Sequence, residues 1–267
     1  NQKMLKKLYT KLLKFISSIG RLMLTFFENF GKLSLFFFLC FFWLFKKPFY
    51  LKQFFSHIVD IGFYSLPVVG LTTFFSGMVL ALQTYSGFDN FNDETTISKI
   101  VLTSILRELG PVLAGLMVCG RVGAKMAAEI ATMRVSNQID ALETLSTRPT
   151  QYLISTRLLA SIIAVPFLVF IGNIIGVFGG FVVSTFKLDL NPILYVASTI
   201  ENFNIIDLIQ GLIKALVFGI IISIISCYFG FNATGGAEGV GRATTVSVVT
   251  ASTLILTSTY FITALFI

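Results

Sequence analysis

"SILRELGPVLAG", residues 104–115, lies inside a stretch that is otherwise apolar from residue 97 to residue 122. Arg107 and Glu108 stand side by side at its middle, and Pro111 follows three residues after Glu108. A charge at the centre of a membrane-spanning helix costs about 2.5–3.5 kcal/mol even on insertion-based scales. Neighbours on a helix point about 100° apart, so these two charges do not face each other and each needs a partner elsewhere or a wet cavity. Pro111 has no N–H, so the Arg107 carbonyl loses the donor four residues ahead. With Gly110 beside it, this leaves an exposed carbonyl and a kink next to two charges. Such irregularity is tolerated at membrane depth only against protein or a water-lined cavity.

The rest of the 267-residue chain agrees with a membrane setting, being 55% hydrophobic and only 12% charged, against about 25% charged in soluble domains. Cys40, Cys119 and Cys227 each lie in an apolar run and read as small buried hydrophobes. His57 is the single histidine, which excludes a histidine-based metal cluster within the chain. The net charge of +7 is entirely N-terminal, because residues 1–59 hold ten Lys/Arg against Glu28 alone. Residues 4–30 space apolar positions (Leu5, Leu8, Leu12, Phe15, Ile19, Leu22) three or four apart with lysines between, as in a helix lying on an anionic membrane surface. The run of 13 at 33–45, "LSLFFFLCFFWLF", is too short to cross hydrocarbon. Trp43 and the following "KKPFY" read as an interfacial anchor. Residues 1–55 are therefore expected to be a basic, interfacial, membrane-embedded region, and 56–267 the spanning domain.

Five spans are expected, at 61–86, 97–122, 159–186, 205–229 and 246–267. The 87–96 loop, "GFDNFNDETT", carries acids only, whereas 121–157 holds Arg121, Lys125, Arg134, Arg148 and Arg157. The positive-inside rule then makes the N-terminus and the 123–150 loop cytoplasmic. The fold class expected is an all-α membrane protein: an N-terminal interfacial helix region plus five transmembrane helices, with a cytoplasmic coupling helix between spans two and three.

Several features could carry chemistry. Lys214 lies nine residues after Ile205, about 14 Å into the fourth span at helical rise, and is a candidate counter-charge for Glu108. The pair could fix helix positions, or some of these groups could line a path for a polar headgroup. In 123–150, Met126, Ile130 and Met133, then Ile139, Leu142 and Leu145, recur at helical spacing and read as an amphipathic helix pair. Ser136 or Asn137 is expected to cap the second helix, Asp140 to sit in its first turn, and Pro149 to end it. Gly172, Gly176 and Gly180 at four-residue spacing read as a close helix contact. Pro67 and Pro166 are expected to mark kinks. The glycine-rich 232–245, "NATGGAEGVGRATT", reads as a loop leading into a helix, a setting that can cradle phosphate. No Walker A pattern, GxSxG elbow or HExxH occurs, so the chain reads as a non-enzyme without an ATP site of its own.

The run "RELGPVLAGLMVCGRVGAKMAAEIATMRVSNQIDALETLSTRP", 107–149, closely resembles the MlaE (YrbE-like) family of ABC-transporter permeases, as do "GLIKALVFGIIIS" (211–223) and "GVGRATTVSVV" (239–249). The resemblance implies the permease subunit of an MCE-associated, ATP-driven transporter moving glycerophospholipid between inner and outer membranes and maintaining outer-membrane lipid asymmetry. It implies a homodimer, a cytoplasmic ABC ATPase dimer that binds the ATP and magnesium, an MCE-domain protein on the far side, and in many bacteria a STAS-domain protein. No cofactor in this chain is implied. The location implied is the bacterial inner membrane, or the inner envelope in plastid relatives. A substrate site at the dimer centre carries over to Arg107, Glu108, Leu109, Leu80, Gln83 and Tyr85, with Lys214 beside them. The ATPase-contacting element carries over to Arg134, Asn137, Gln138, Asp140, Leu142 and Glu143; Asn137 stands where relatives often have Glu. Two other classes stay open on the residues alone: an ion-coupled secondary transporter and a membrane scaffold anchoring partner proteins.

Overall fold

The computed structural model describes residues 2–44, 46, 50–87 and 94–266, and these are helices joined by turns, with no strand among them. The chain divides into two units, residues 1–45 and 46–267. The first unit is one helix, α1 (Gln2–Leu44), so the amphipathic stretch and the apolar run share a single rod. No proline interrupts it, and Gly20 and Gly31 cost only about 1 kcal/mol each in a helix interior. Its apolar end, Phe30–Leu44, is too short to cross a membrane. Lys47, Pro48 and Phe49 of the expected anchor, and residues 88–93 of the acidic loop, lie outside the described residues.

The second unit holds five helices long and apolar enough to cross a membrane: Leu51–Gly87, Thr95–Val135, Thr150–Phe186, Ile205–Phe231 and Gly236–Leu265, called spans one to five. Their number is as expected, and their ends overrun. Span two continues to Val135, so the first helix of the expected pair is its extension, and Met126 and Ile130 are buried. The glycine-rich stretch is helical from Gly236; only 232–235 form a turn, with Gly235 at φ 95°. Charge patterns mark where hydrocarbon ends, whereas a helix continues as long as one face is packed and no breaker intervenes.

Prolines act differently at each site. Span one breaks after Ile61, makes a 3₁₀ turn at Phe63–Ser65 and resumes at Leu66. Pro67 then occupies the second position of the new helix, where a missing N–H is not needed. Pro166 stays inside the uninterrupted helix Thr156–Phe186.

Span three is central, packing on spans one and four, and span four also packs on spans two and five. The contact between spans one and three is made by glycines. A Cβ on Gly77 would collide with the Gly176 carbonyl, and one on Gly179 with the Phe74 carbonyl. Backbones meet here because lipid-embedded helices gain contact by close approach rather than by the hydrophobic effect.

A helix at Pro192–Glu201 joins spans three and four and is anchored from beneath. Asn191 caps it by accepting from the Ile193 N–H at 3.0 Å, and the Ser98 hydroxyl donates to Ser198 Oγ at 2.8 Å. Tyr195 packs into a cluster with Ala81, Ile97, Val101 and Ile105. Burial pushes its phenol up to about 12, so the group stays neutral.

The helix between spans two and three is Gln138–Thr144. Asn137 precedes it but does not cap it: at φ 59° it makes the left-handed turn itself, and its side chain accepts no capping bond. Asparagine tolerates that conformation better than most residues. The Ser136 hydroxyl turns back to the Thr132 carbonyl. The helix stops at Thr144, before a second left-handed residue, Ser146, rather than at Pro149. Pro149 instead leads into the π-helical start of span three, Thr150–Ser155.

Gly77→Val is expected to lower the thermal stability of the purified protein by several degrees, since the methyls have only backbone to displace. Gly241→Ala, where a Cβ meets nothing within 4 Å, should raise it slightly. Both are read from unfolding in detergent.

Candidate functional site

The irregularity foreseen at Pro111 is a π turn. Residues Ile105–Leu109 form five residues of π-helix, in which the Gly110 N–H bonds to the Ile105 carbonyl five positions back. Pro111 can supply no N–H to Arg107 O and its ring presses on that carbonyl, so the helix widens instead. The freed carbonyl is not left bare. Lys214 Nζ donates to Arg107 O at 2.8 Å and to Glu108 Oε1 at 2.6 Å. One ammonium thus satisfies both consequences of the sequence, the lost backbone donor and the unpaired carboxylate. Lys214 is fully buried while the Glu108 side chain is 39% exposed, so Lys214 acts on this site through Glu108 and the backbone.

Gly211 makes the reach possible. A Cβ there would strike the Leu106 carbonyl, so span four lies directly against the π turn one helical turn before Lys214. Span five contributes as well: the Thr263 hydroxyl donates to Glu108 Oε1 at 2.9 Å.

Arg107 takes a different partner. Its Nε and Nη2 donate to Asp207 Oδ1 at 2.8 and 2.7 Å. The Asp207 side chain is 2% exposed and that of Arg107 49%. Asp207 sits in the first turn of span four, where the positive end of the helix dipole also stabilises it. Part of the Asp207 charge is thereby answered by the helix. The Arg107 guanidinium is about half exposed (49%), and its N–H groups not turned to Asp207 could donate to a phosphate.

Asp207 and Thr263 were not among the residues expected here. Asp207 had a legible signal, lying seven residues before Lys214 and hence on the same face of span four. Thr263 had none, because nothing in the sequence brings span five to Glu108. Leu109 is half-buried beside Glu108. Leu80 and Tyr85 pack against the cluster containing Ile105, and Gln83 is exposed. Among the described residues, no hydrogen bond joins Gln83 or Tyr85 to Arg107 or Glu108 within this chain.

A second polar cluster lies where span one breaks. Arg121, in another π turn of span two (Cys119–Gly123), donates from Nη1 to the Asp60 carbonyl at 3.2 Å and to Ser65 Oγ at 2.7 Å. Lys125 pairs with Asp60 Oδ1 at 3.0 Å, and Arg157 with Glu129 Oε2 at 2.8 Å. Here too a cation meets a backbone carbonyl beside a helix interruption.

On Gln138–Thr144, Ile139 is buried and Leu142 half-buried, while Asn137, Gln138, Asp140 and Glu143 are exposed. Arg134 ties this helix to span two through Asp140 Oδ1 at 2.7 Å, and its guanidinium lies over the Phe231 ring. Asp140 therefore already has a partner within the chain. Among the described residues, no three His, Cys, Asp or Glu side chains come together as a metal site would require.

A sequence profile of the MlaE permease matches residues 54–265. The chain belongs to the MlaE permease family. It is 59% identical over 221 residues to a "probable ABC transporter permease protein" of Rickettsia prowazekii, covering 83% of this chain and 85% of that one. It is 34% identical over 220 residues, 82% of each chain, to the "intermembrane phospholipid transport system permease protein MlaE" of Haemophilus influenzae. It is also 37% identical over 185 residues to the chloroplastic protein TRIGALACTOSYLDIACYLGLYCEROL 1 of Arabidopsis thaliana, covering 69% of this chain and 53% of that one. As an ABC transporter permease of this family, the chain carries its intramembrane charges within the matched region, and α1 lies before it.

Lys214→Met should cost about 3 kcal/mol, because it strands the Glu108 carboxylate and the Arg107 carbonyl together. Adding Glu108→Gln should recover part of the loss, the carbonyl alone remaining unsatisfied. Thermal unfolding of the single and double variants reads the difference.

Proposed function

We propose that this chain is the permease subunit of an ATP-driven transporter that moves glycerophospholipid between the inner and outer membranes and supports outer-membrane lipid asymmetry. The observation that carries this reading is the half-exposed Arg107–Glu108 pair, held at a π turn by Asp207 and Lys214 within an MlaE permease scaffold. A diacyl lipid needs apolar walls for its tails and a few fixed polar groups for its head. The exposed part of Arg107 meets the phosphate, and the exposed part of Glu108 accepts from an amine or glycerol hydroxyl. The name of the Haemophilus relative supports phospholipid as the substrate class.

The chain works as a homodimer in the inner membrane with its N-terminus and Gln138–Thr144 in the cytoplasm. A dimeric ABC ATPase, which holds the ATP and magnesium, docks on the exposed Gln138, Asp140 and Glu143, with Asn137 and Leu142 beside them. An MCE-domain protein receives lipid on the far side, and a STAS-domain protein accompanies the ATPase. Because Arg134 bridges Asp140 to the end of span two, ATPase movement at the short helix passes into the span that carries the Arg107–Glu108 site.

Glu108→Ala is expected to reduce ATP-driven lipid transfer between vesicles by about tenfold or more while the complex with its ATPase still assembles. Loss of assembly instead would make the pair a purely structural element. Glu143→Lys leaves the Arg134–Asp140 bridge intact and should weaken ATPase binding, read by copurification. Unchanged copurification and lipid-stimulated hydrolysis would remove Glu143 from the interface.

A further inference from the structure

One polar group beside the π turn is unused by the site. Asn173 of span three is 1% exposed, and neither its Nδ2 nor its Oδ1 has a hydrogen-bond partner among the described residues. Its Oδ1 fills the space a side chain at Gly110 would need, and the Ile105 carbonyl lies 2.8 Å from the same point. That carbonyl is the acceptor that closes the π turn. An orphaned amide in a protein interior is costly, and an apolar side chain of similar volume would fill the site at less expense. A second arrangement that pairs it would repay that cost.

The neighbouring backbone is suited to supply one. The Ile105 carbonyl has a second lone pair, able to accept from an amide N–H. Gly110 lets the amide lie against the helix. Pro111 has already removed the bond that would lock an α-helical register, and Arg107 O is held by a lysine side chain, which can follow a moving carbonyl. The π turn thus lacks one α-helical bond that would otherwise oppose a change of register.

We propose that Asn173 is a positioning residue for the transport step: its amide is unpaired in the arrangement seen here and bonds the Ile105–Leu109 backbone in the other state of the cycle. This draws the π turn, and with it Arg107 and Glu108, between two settings. The inference rests on the transport reading above.

The test is Asn173→Leu, with Asn173→Ala as a second variant in case leucine does not fit. In the nucleotide-free complex Asn173→Leu should melt about 2–4 °C higher, since a buried orphan is removed. ATP-driven lipid transfer should fall about tenfold. Exchange of the amides of Ile105–Leu109 should differ between nucleotide-free and ATP-trapped wild type, and this difference should vanish in the variant. Asn173→Ala should show the same losses of transfer and of the exchange difference. Wild-type transfer in either variant, or an exchange difference that persists in Asn173→Ala, overturns the proposal; a leucine that lowers the melting temperature leaves the decision to Asn173→Ala. If wild type itself moves no lipid, the transport reading fails. The exchange difference then decides the role of Asn173, and its absence in wild type, or its persistence in Asn173→Ala, overturns it.

Discussion

In hydrocarbon, a backbone carbonyl that loses its helical N–H has no water to turn to. Pro111 imposes that condition on Arg107, and Lys214 relieves it. The rest of the membrane unit can be read as the consequences of that bond. Lys214 must be buried to reach the carbonyl, so a carboxylate must accompany it, and Glu108 is the next residue. Span four must pass close to the π turn, so position 211 must lack a side chain. Arg107, turned away by the helix geometry, needs a separate acid, and Asp207 stands two turns earlier on the same face of span four.

The same solution appears at the other end of span two. Span one breaks after Ile61, and Arg121 bonds the Asp60 carbonyl while Lys125 takes the Asp60 carboxylate. In both places the helix is irregular where the charges are, and the charges are placed to mend the irregularity. Buried ion pairs contribute little net stability against an apolar alternative. Their value here is positional, since Lys214 and Arg121 each bind one specific carbonyl of a neighbouring span.

Packing between spans one and three works by the opposite means. Gly77, Gly176 and Gly179 bring backbones into contact with no charged side chain involved. Spans one and three are thereby a close-packed pair, whereas spans four and five also reach the Arg107–Glu108 site through polar side chains, Asp207, Lys214 and Thr263.

Much of this was legible in the residues. Hydropathy, together with charge placement, determined five spans. Pro111 determined a freed carbonyl, and depth along span four singled out Lys214. The GxxxG spacing determined a close helix contact, because it needs only the absence of a side chain. The helices run on beyond the expected spans, to Val135 and back to Gly236, because a charge pattern marks the membrane boundary and does not stop a helix. The turn at Asn137 was misread as a cap because the same residue type serves both geometries, and only the backbone angle separates them. Asp207 and Thr263 emerged only in the tertiary structure, since which acid answers Arg107 depends on how spans two, four and five are rotated against one another. Periodicity states which residues share a face of one helix; it does not say which faces meet, and that is decided by packing across the whole bundle.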